Sequence, residues 1–458
     1  MSRPPAHHAI VIGSGLAGLC AARVARDHFE QVTVIERDPP PDGDGPRRGA
    51  PQGAHAHALM KGGERLFERL FPGFVAEIEA LGAHCFDFGQ NVRWLHHGVW
   101  KARFDSAFPV HVQTRPLVEG VVRARLAADP KISFRYGAAV EGLCLSGDRV
   151  TGVALRGAQG AREALAAELV IDAAGRGSRL PAWLEALGRT APAEDRLNVD
   201  LCYATRLYEP PPGFEAPWKA LLIYPEPPHQ TRAGFLFPVE GGRWLVTAVG
   251  YVGDHAPVDE VGFNRYIADL PSDELARALA EAKPLGPVAR YKFPYARQRR
   301  YDRLRDMPAG VIALGDAMCS FDPVFGQGMT MAARNAELLD AQLRRGPIAP
   351  RRWFRALFRL NRVPWMLAAA EGMRYPAVEG CRPPGLGPVQ KYCRHVFRLC
   401  ASDPFVYRRF IRVLQMVSGP EVLAHPRVVW AVLRAALGRG PAALPAPERG
   451  FELVEAGR

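Results

Sequence analysis

The sequence contains no long hydrophobic run. None of its apolar stretches approaches the ~20 consecutive apolar residues that a membrane-spanning helix needs. Its amino terminus also lacks the basic segment, apolar segment and cleavage site of a secretory signal. We therefore expect a soluble, cytoplasmic protein.

Cysteine is scarce as well, with eight residues in a chain of 458 and no C-x-x-C pair. Such scattered cysteines do not have the spacing of a disulfide framework or of a zinc site. We expect them to be reduced, mostly buried thiols, and we predict no bound metal. The cysteines are Cys20, Cys85, Cys144, Cys202, Cys319, Cys381, Cys393 and Cys400.

Acidic residues are outnumbered by basic ones, 47 against 59, which gives a formal net charge of +12 at pH 7. Basic residues recur in 351–362, 394–398 and 408–412, where aromatic residues interleave with them at helical spacing. This pattern favours helices with an apolar face on the domain and a basic face in solvent, and we predict no nucleic-acid partner. Two alternatives stay open: an acidic partner such as an acyl carrier protein, or an anionic membrane, which the pattern does not favour.

What the sequence does contain is a glycine-rich turn between a strand and a helix, in the segment 8–37. Gly13 permits the sharp exit from the strand, Gly15 lets the backbone approach a phosphate, and Gly18 lets the helix pack on the sheet. Free N–H groups at the helix start attract a pyrophosphate, and Glu36 can accept hydrogen bonds from a ribose diol. The segment therefore predicts a bound dinucleotide. Its predicted contacts are Gly13, Gly15, Leu16, Ala17, Gly18, Glu36 and Arg37.

Two later segments also combine a strand with small residues. The first, 168–179, is an apolar strand that ends in an aspartate and continues into small residues. The second, 311–335, is a strand followed by a Gly-Asp pair, a proline-containing loop and a helix that opens at Gly-Gln-Gly. Three such segments indicate more than a single NAD site. The candidate residues here are Asp172, Gly175, Gly315, Asp316, Pro323, Gly326, Gln327, Gly328 and Met329.

In order and character, the three segments resemble the fingerprints of the FAD-dependent aromatic hydroxylases, the superfamily of p-hydroxybenzoate hydroxylase. The resemblance implies one FAD held by all three segments in a Rossmann-like α/β fold. It implies that Asp316 binds the ribityl chain or a nearby ribose and that Pro323 lies beside the isoalloxazine ring. The helix that starts near Gly326 is then directed at the flavin, where a helix N-terminus stabilises negative charge.

A fourth segment resembles one subgroup of these FAD-dependent enzymes. Residues 47–59 resemble the R-x-G-x-P-Q-x-x-H-x-H segment of bacterial FAD-dependent monooxygenases that include epoxidases of polyether antibiotic biosynthesis. The resemblance places Arg47, Gln52 and Arg115 near the cofactor. It places Val140, more loosely, at a backbone contact to adenine.

Two histidines in this segment, His55 and His57, are separated by one residue and could imitate a metal-binding pair. No third ligand is evident in the sequence, and zinc sites need three or four. We expect these histidines to be hydrogen-bonding groups in a loop or beside the flavin.

The chain is predicted to divide into a discontinuous FAD-binding domain, an inserted substrate domain and a helical C-terminal region. The ranges are 1–84, 111–196 and 301–348 for the FAD-binding domain, 85–110 and 197–300 for the antiparallel β-sheet substrate domain, and 349–458 for the helical region. Alternating residues around the turn at 240–242 predict a hairpin, and the segments 132–145 and 149–155 alternate as a pair of strands would. A proline- and glycine-rich stretch at 382–388 predicts a break between helices.

The resemblance implies a monooxygenase. NADH or NADPH reduces the FAD, and reduced flavin reacts with O₂ to give a C4a-hydroperoxide that epoxidises or hydroxylates the substrate. The cofactor performs the difficult step, so we predict no catalytic side chain. Only one G-x-G-x-x-G motif occurs, so we expect the reductant to bind transiently, and a two-domain reductase of the glutathione type is disfavoured.

Aromatic residues on the predicted sheet and beside the Pro323 loop indicate an apolar, biosynthetic substrate, which could be bound to a carrier protein. Core packing would also explain each of these residues singly. The candidates are Tyr224, Phe235, Phe237, Trp244, Phe321 and Phe325.

Three other functions stay open. An FAD-dependent reductase or desaturase of prenyl or polyene chains would use the same cofactor shell without oxygen transfer. A flavin halogenase is less favoured, because the sequence has no W-x-W-x-I-P-like stretch and Lys61 is more simply a solvated helix residue. A non-enzymatic flavoprotein is the third possibility.

Overall fold

A computed structural model of the chain describes residues 8–439 except 42, 44, 158 and 159. The strands are β1 His8–Ile12, β2 Gln31–Glu36, β3 His84–Asp87, β4 Val92–His96, β5 Val99–Trp100, β6 Pro109–Val112, β7 Ile132–Tyr136, β8 Ala139–Ser146, β9 Arg149–Arg156, β10 Arg162–Ala166, β11 Leu169–Asp172, β12 Glu194–Leu197, β13 Leu201–Glu209, β14 Ala220–Ile223, β15 Arg232–Val239, β16 Arg243–Gly250, β17 Lys283–Phe293, β18 Ala296–Arg299, β19 Val311–Ala313 and β20 Cys319–Ser320. The helices are α1 Leu16–Ala25, α2 Lys61–Leu70, α3 Phe74–Ala80, α4 Phe88–Asn91, α5 Arg115–Ala127, α6 Leu180–Ala186, α7 Glu260–Ala268, α8 Glu274–Leu279, α9 Gln327–Leu343, α10 Pro350–Gly372, α11 Leu386–Leu399, α12 Pro404–Leu414 and α13 Pro426–Ala436.

A five-stranded parallel sheet organises the first layer, in the order β19-β11-β1-β2-β7. Its middle strand β1 is buried along its whole length, as expected for a parallel sheet covered on both faces. Since all five strands run the same way, their carboxyl ends meet at one edge. The three glycine-rich segments predicted from the sequence follow β1, β11 and β19 and therefore converge at this edge.

Where α1 follows β1, there is no room for a side chain at Gly13 or at Gly18. Gly13 has φ +100°, and a Cβ there would lie 2.7 Å from the carbonyl oxygen of Ala173. A Cβ on Gly18 would lie 1.9 Å from the carbonyl oxygen of Gly13. Helix α1 therefore begins directly on the turn, with its first N–H groups at the sheet edge.

A seven-stranded sheet forms the second layer, in the order β17-β13-β16-β15-β14-β4-β5. The predicted hairpin around 240–242 is confirmed, since β15 and β16 pair antiparallel from Arg232–Gly250 to Val239–Arg243. One face of this sheet packs on α7 and α8, and the other shares a core with the C-terminal helices α11, α12 and α13. The predicted α/β fold with a Rossmann-like domain and a large, mostly antiparallel sheet is confirmed.

Two local predictions were wrong in detail. The segment 132–145, predicted to alternate as one strand, is divided at Gly137, whose φ is +65°. Its first half, β7, pairs with β2 in the parallel sheet, while its second half, β8, pairs with β9 in a separate three-stranded sheet. The break predicted at 382–388 lies earlier and is longer, at 373–385, because α10 ends at Gly372 and α11 begins at Leu386. Helix α11 holds Pro388 in its first turn, where a missing N–H costs no helical hydrogen bond.

The C-terminal region is helical from α10 to α13, and its predicted extension over 440–458 lies outside the described residues. Within the described part of the chain, no helix is both long enough and apolar enough to cross a membrane.

Candidate functional site

The carboxyl edge of the parallel sheet opens into a crevice of about 380 Å³. Segments from the whole length of the chain line it, including the β1 turn, the loop 47–57 and the loop that precedes α9. All but three of the residues predicted to bind the cofactor lie in its wall. These are Gly13, Gly15, Leu16, Ala17, Glu36, Arg37, Arg47, Gln52, Arg115, Val140, Gly175, Gly315, Asp316, Pro323, Gly326, Gly328 and Met329.

The other three residues, Gly18, Asp172 and Gln327, were predicted to contact the cofactor directly. This prediction is corrected, because they do not line the crevice. Gly18 packs α1 on the turn. Asp172 is fully buried, and its carboxylate accepts hydrogen bonds from the Ala174 N–H at 3.0 Å and from the Ser178 hydroxyl, so it shapes the loop. Gln327 is buried, and the crevice is lined by the glycines on either side of it.

The N-termini of two helices open into this crevice, those of α1 and α9. A Cβ built on Gly15 would have only the Arg47 guanidinium near it, at 3.6 Å, and one on Gly328 would meet nothing within 4 Å. The backbone is therefore open to a ligand at both helix starts. Unpaired N–H groups and the positive ends of the helix dipoles favour an anion there.

Glu36 lies in the crevice wall, at the end of β2. One of its oxygens accepts hydrogen bonds from the Ser14 N–H at 2.9 Å and the Ser14 hydroxyl at 2.8 Å, and it pairs with Arg47 at 3.2 Å. Burial opposes ionisation of this carboxylate, but the hydrogen bonds from Ser14 outweigh it and hold the pKa below its ordinary value. Glu36 is therefore a carboxylate at neutral pH, suited to accept from hydroxyl groups.

A second buried carboxylate, Glu119 on α5, holds two arginines that line the crevice. It accepts from Arg47 Nε at 3.0 Å and from Arg115 Nε at 2.8 Å, and Arg123 lies 3.5 Å from it. Burial opposes its ionisation, but Arg115 and Arg47 lower its pKa to about 2. Since Arg47 also pairs with Glu36, three guanidinium groups meet two carboxylates, and this side of the crevice carries excess positive charge.

His55 and His57 both lie in the crevice wall as hydrogen-bonding groups. His55 Nδ1 lies 2.7 Å from the Thr205 hydroxyl, and His57 Nδ1 donates to the His55 carbonyl at 2.9 Å. His57 Nε2 is 3.4 Å from Arg115 and accepts from it. Burial lowers the pKa of His55 to about 4, and burial together with Arg115 lowers that of His57 to about 3. Both rings are neutral at pH 7.

Asp316 faces the crevice with no hydrogen-bond partner for its carboxylate among the residues that the structure describes. Burial raises its pKa, and Arg115, Arg176 and Arg297 oppose the rise. An acceptor left without a partner in the wall of a large crevice is suited to a hydroxyl group of a ligand.

These features fit FAD. Two helix N-termini and an excess of arginine suit its pyrophosphate, and Glu36 and Asp316 offer acceptors for its ribose and ribityl hydroxyls. A family model described as FAD dependent oxidoreductase matches residues 9–183. The chain is also 36% identical over 367 residues to protein Rv3254 of Mycobacterium tuberculosis, a match that covers 74% of this chain and 73% of that protein.

The chain belongs to the FAD-dependent oxidoreductases.

Solved structures share the fold of this oxidoreductase at low sequence identity. The flavin-dependent brominase Bmp2 superposes with a TM-score of 0.65 at 15% identity, over 94% of this chain and 98% of that one. The p-nitrophenol 4-monooxygenase PnpA of Pseudomonas putida superposes with a TM-score of 0.63 at 17% identity, over 91% and 100%. The predicted family, cofactor and enzyme class are thereby confirmed at the level of an FAD-dependent oxidoreductase. The finer resemblance to polyether epoxidases stays a prediction.

A smaller apolar cavity of about 80 Å³ adjoins the flavin crevice of the oxidoreductase. Tyr203, Pro323, Gly326, Ala56 and His57 line both spaces. The smaller cavity is otherwise lined mainly by aromatic and aliphatic side chains from β3, β4, β6, β14 and β15, and by Leu414 and Gln415 at the end of α12.

Three of the six predicted substrate residues, Tyr224, Phe235 and Phe237, line this cavity. Phe321 lines the flavin crevice instead. Phe325 lines neither space, and Trp244 was wrongly predicted, since it packs in the core on the opposite face of the sheet. The reason is the period of two along a strand. Phe237 pairs with Leu245, so Trp244 points to the other face.

Asp322 was missed by the sequence reasoning, although it precedes Pro323 in the loop that lines both spaces. It is fully buried and accepts hydrogen bonds from the Val324 N–H at 3.0 Å and from the Tyr251 hydroxyl at 3.0 Å. Burial raises its pKa to about 6. A buried carboxyl with such a pKa can hold or release a proton near neutral pH.

Ser14, Glu119, Arg176, Tyr203 and Tyr291 were also missed. All except Ser14 and Glu119 line the crevice, and those two hold residues that do. Ser14 and Arg176 lie inside the predicted segments and could have been named from their position. Glu119, Tyr203 and Tyr291 have no local signal, because only the packing of distant strands and helices brings them here.

Proposed function

We propose that this oxidoreductase is a monooxygenase that uses NADH or NADPH and O₂ to epoxidise or hydroxylate an apolar biosynthetic substrate. The observation that carries the proposal is the apolar cavity beside the flavin crevice, which shares the Pro323 loop with it. An apolar compound in that cavity is held next to the space for the cofactor and away from bulk water.

FAD, when bound, supplies the redox and oxygen chemistry. The residues of this chain supply binding and positioning. The starts of α1 and α9 hold negative charge, Asp316 accepts from hydroxyl groups, and the Pro323 loop separates the two spaces. Asp322, which accepts a hydrogen bond from Tyr251, can take up or release a proton at the same loop.

The cavity walls favour an apolar substrate with at most a single polar group. Phe86, Phe88, Trp94, Phe235 and Phe237 contribute aromatic surface. The polar groups are few and mostly engaged: the Tyr224 hydroxyl donates to the Val324 carbonyl at 3.3 Å, and Gln415 accepts from the Lys61 N–H at 2.9 Å. We infer an aromatic ring or an unsaturated chain as the reacting part, either free or bound to a carrier protein.

A halogenase is the weaker alternative for a structural reason as well. Among the residues that the structure describes, no lysine lines either space. Lys61 pairs with Glu64, and Lys101 is buried, where it donates to the carbonyl oxygens of His96 and Phe397.

The test starts with purified protein loaded with FAD and reduced anaerobically by NADH or by NADPH. A panel of apolar aromatic and alkene compounds is then turned over under ¹⁸O₂, and the products are analysed by mass spectrometry. We expect one ¹⁸O atom per product and NAD(P)H oxidation coupled to it.

Other outcomes identify the alternatives. Turnover that proceeds without O₂ would indicate a reductase or desaturase, and halide incorporation would indicate a halogenase. Slow NAD(P)H oxidation that no compound accelerates would indicate a flavoprotein without this activity.

A matched pair of variants tests the cavity itself. Phe237→Ala enlarges the cavity and should change KM or product distribution several-fold without loss of FAD. Val261→Ala is a smaller apolar truncation at an exposed position on α7 and should change neither KM nor the product distribution.

A further inference from the structure

The positive charge of the chain is concentrated in its C-terminal helices. Residues 349–439 contain sixteen Lys and Arg but only four Asp and Glu, so their formal charge of +12 equals that of the entire chain. Elsewhere in the sequence, positive and negative side chains balance. The charge is therefore a property of one region.

Most of these cations are on the surface. Fourteen are exposed: Arg351, Arg352, Arg355, Arg359, Arg362, Arg382, Lys391, Arg394, Arg398, Arg408, Arg412, Arg427, Arg434 and Arg439. Within the described part of the chain, the only one of these fourteen in an ion pair is Arg427, 3.9 Å from Asp403. The charge thus faces solvent without compensation from neighbouring carboxylates.

Helix α13 adds an exposed apolar stripe to this charge. Trp430, Leu433 and Leu437 are 63%, 51% and 72% exposed, whereas Val428 and Val432 on the opposite side are buried. Arg427 and Arg434 are exposed and lie three or four residues from Trp430, so they share its face. We call Arg427, Trp430, Leu433, Arg434 and Leu437 the α13 face.

The α13 face is joined to the wall of the apolar cavity. Phe405, at the start of α12, stacks against the guanidinium of Arg427 at 4.2 Å and against that of Arg409 at 4.7 Å. The other end of α12 contributes Leu414 and Gln415 to the cavity. One short helix therefore connects the exposed face with the cavity proposed for the substrate.

We propose that the α13 face binds an anionic phospholipid bilayer. Basic side chains around an exposed Trp and Leu stripe are the combination that holds a helix at the surface of such a bilayer. Charge spread over four helices suits an extended anionic surface better than one small acidic protein. This binding does not depend on the reaction. That the bilayer delivers the apolar substrate rests on the proposed function.

The binding test uses FAD-loaded, full-length protein and flotation with vesicles. Vesicles of equal parts phosphatidylglycerol and phosphatidylcholine should carry the protein, with at least tenfold less on phosphatidylcholine alone. Binding should fall as salt is raised, because salt screens the exposed charges.

Matched variants locate the surface. Trp430→Ser with Leu433→Ser and Leu437→Ser should reduce vesicle binding at least tenfold, whereas Val261→Ser, at a position 80% exposed on α7, should not change it. Arg427→Gln with Arg434→Gln should reduce it several-fold. The exposed Arg265→Gln with Arg345→Gln removes the same charge elsewhere and should have a smaller effect. FAD content and circular dichroism confirm that each variant folds.

Several results would overturn the proposal. Equal binding to both kinds of vesicle would exclude an anionic bilayer as the specific partner, and full binding by the triple serine variant would exclude the α13 face. Binding to poly-glutamate but not to vesicles would indicate an acidic protein partner. Since vesicle binding is measured without substrate, failure of the proposed reaction does not affect these outcomes.

Discussion

Asp316 is the residue of the crevice whose role is most directly testable, because its carboxylate has no partner among the described side chains and backbone groups. Asp316→Ala should weaken FAD binding by ~10–100-fold, the loss expected for hydrogen bonds to a charged group. Quenching of flavin fluorescence measures the dissociation constant. Asp148→Ala, a change at an exposed carboxylate paired with Arg189, should bind FAD normally. Full FAD occupancy in Asp316→Ala would show that the third segment is not part of the cofactor site.

The buried carboxyl of Asp322 makes a pH-dependent contribution to stability. Its pKa is raised by burial to about 6, above the ordinary value of 3.8, so the folded state binds its proton more tightly than the unfolded state. This stabilisation is present below pH 4 and is lost as the pH rises from about 4 to 6. The loss amounts to roughly 3 kcal/mol, at about 1.4 kcal/mol per pKa unit.

Asp322→Asn should remove that dependence while keeping one of the two hydrogen bonds. Urea unfolding of the FAD-free protein at pH 4, 5, 6 and 7 measures it. The free energy of unfolding of the wild type, relative to that of Asp322→Asn, should fall between pH 4 and 6 and then level off. A constant difference across this range would mean that Asp322 titrates normally.

At the scale of the element, the start of α1 depends on the absence of a Cβ at Gly18, where one would lie 1.9 Å from the Gly13 carbonyl oxygen. Gly18→Ala should lower the free energy of unfolding by roughly 1–3 kcal/mol, as expected for overpacking, and should weaken FAD binding by displacing the turn. Urea unfolding and flavin titration measure the two effects.

Gly120 in the interior of α5 provides the matched control. A Cβ there would meet nothing within 4 Å, and the backbone is helical. Gly120→Ala should therefore raise the free energy of unfolding by about 0.5–1 kcal/mol, because alanine is the better helix former. Equal effects of the two substitutions would contradict the steric role of Gly18.

At the scale of the whole molecule, the flavin crevice joins segments that are far apart in the chain, from the β1 turn to α9. A ligand that binds only the folded state adds stability in proportion to the logarithm of its concentration, ~2.7 kcal/mol at one hundred times Kd. FAD at that concentration should raise Tm by roughly 2–5 °C. Scanning fluorimetry at increasing FAD concentrations measures the shift. Its absence while flavin remains bound would show that FAD does not prefer the folded protein, which would contradict a site assembled from these segments.

Structural features that depend on residues close together in the chain were predicted well. The β1 turn, the strand that ends at Asp172 and the opening of α9 depend on residues close together in the chain, and all three lie at the predicted edge. The hairpin of β15 and β16 was also predicted, since its turn residues are adjacent to its strands. Alternation alone did not tell which face of β16 meets the cavity, so Trp244 was assigned to the wrong side.

Local chain geometry therefore sufficed for a dinucleotide site and the α/β class, because the glycine turns and the strand ends need only their neighbours to form. The resemblance to the FAD-dependent hydroxylases added the identity of the cofactor. Packing decided the rest. Glu119 reaches Arg47 across 72 residues, Asp322 reaches Tyr251 across 71, and the cavity wall joins β4 to the end of α12. Contacts between residues so far apart in the chain depend on how the sheets and helices pack together, and no single stretch of sequence specifies that packing. The same packing left the Trp430 stripe on α13 facing solvent, where the sequence had predicted only a helical region.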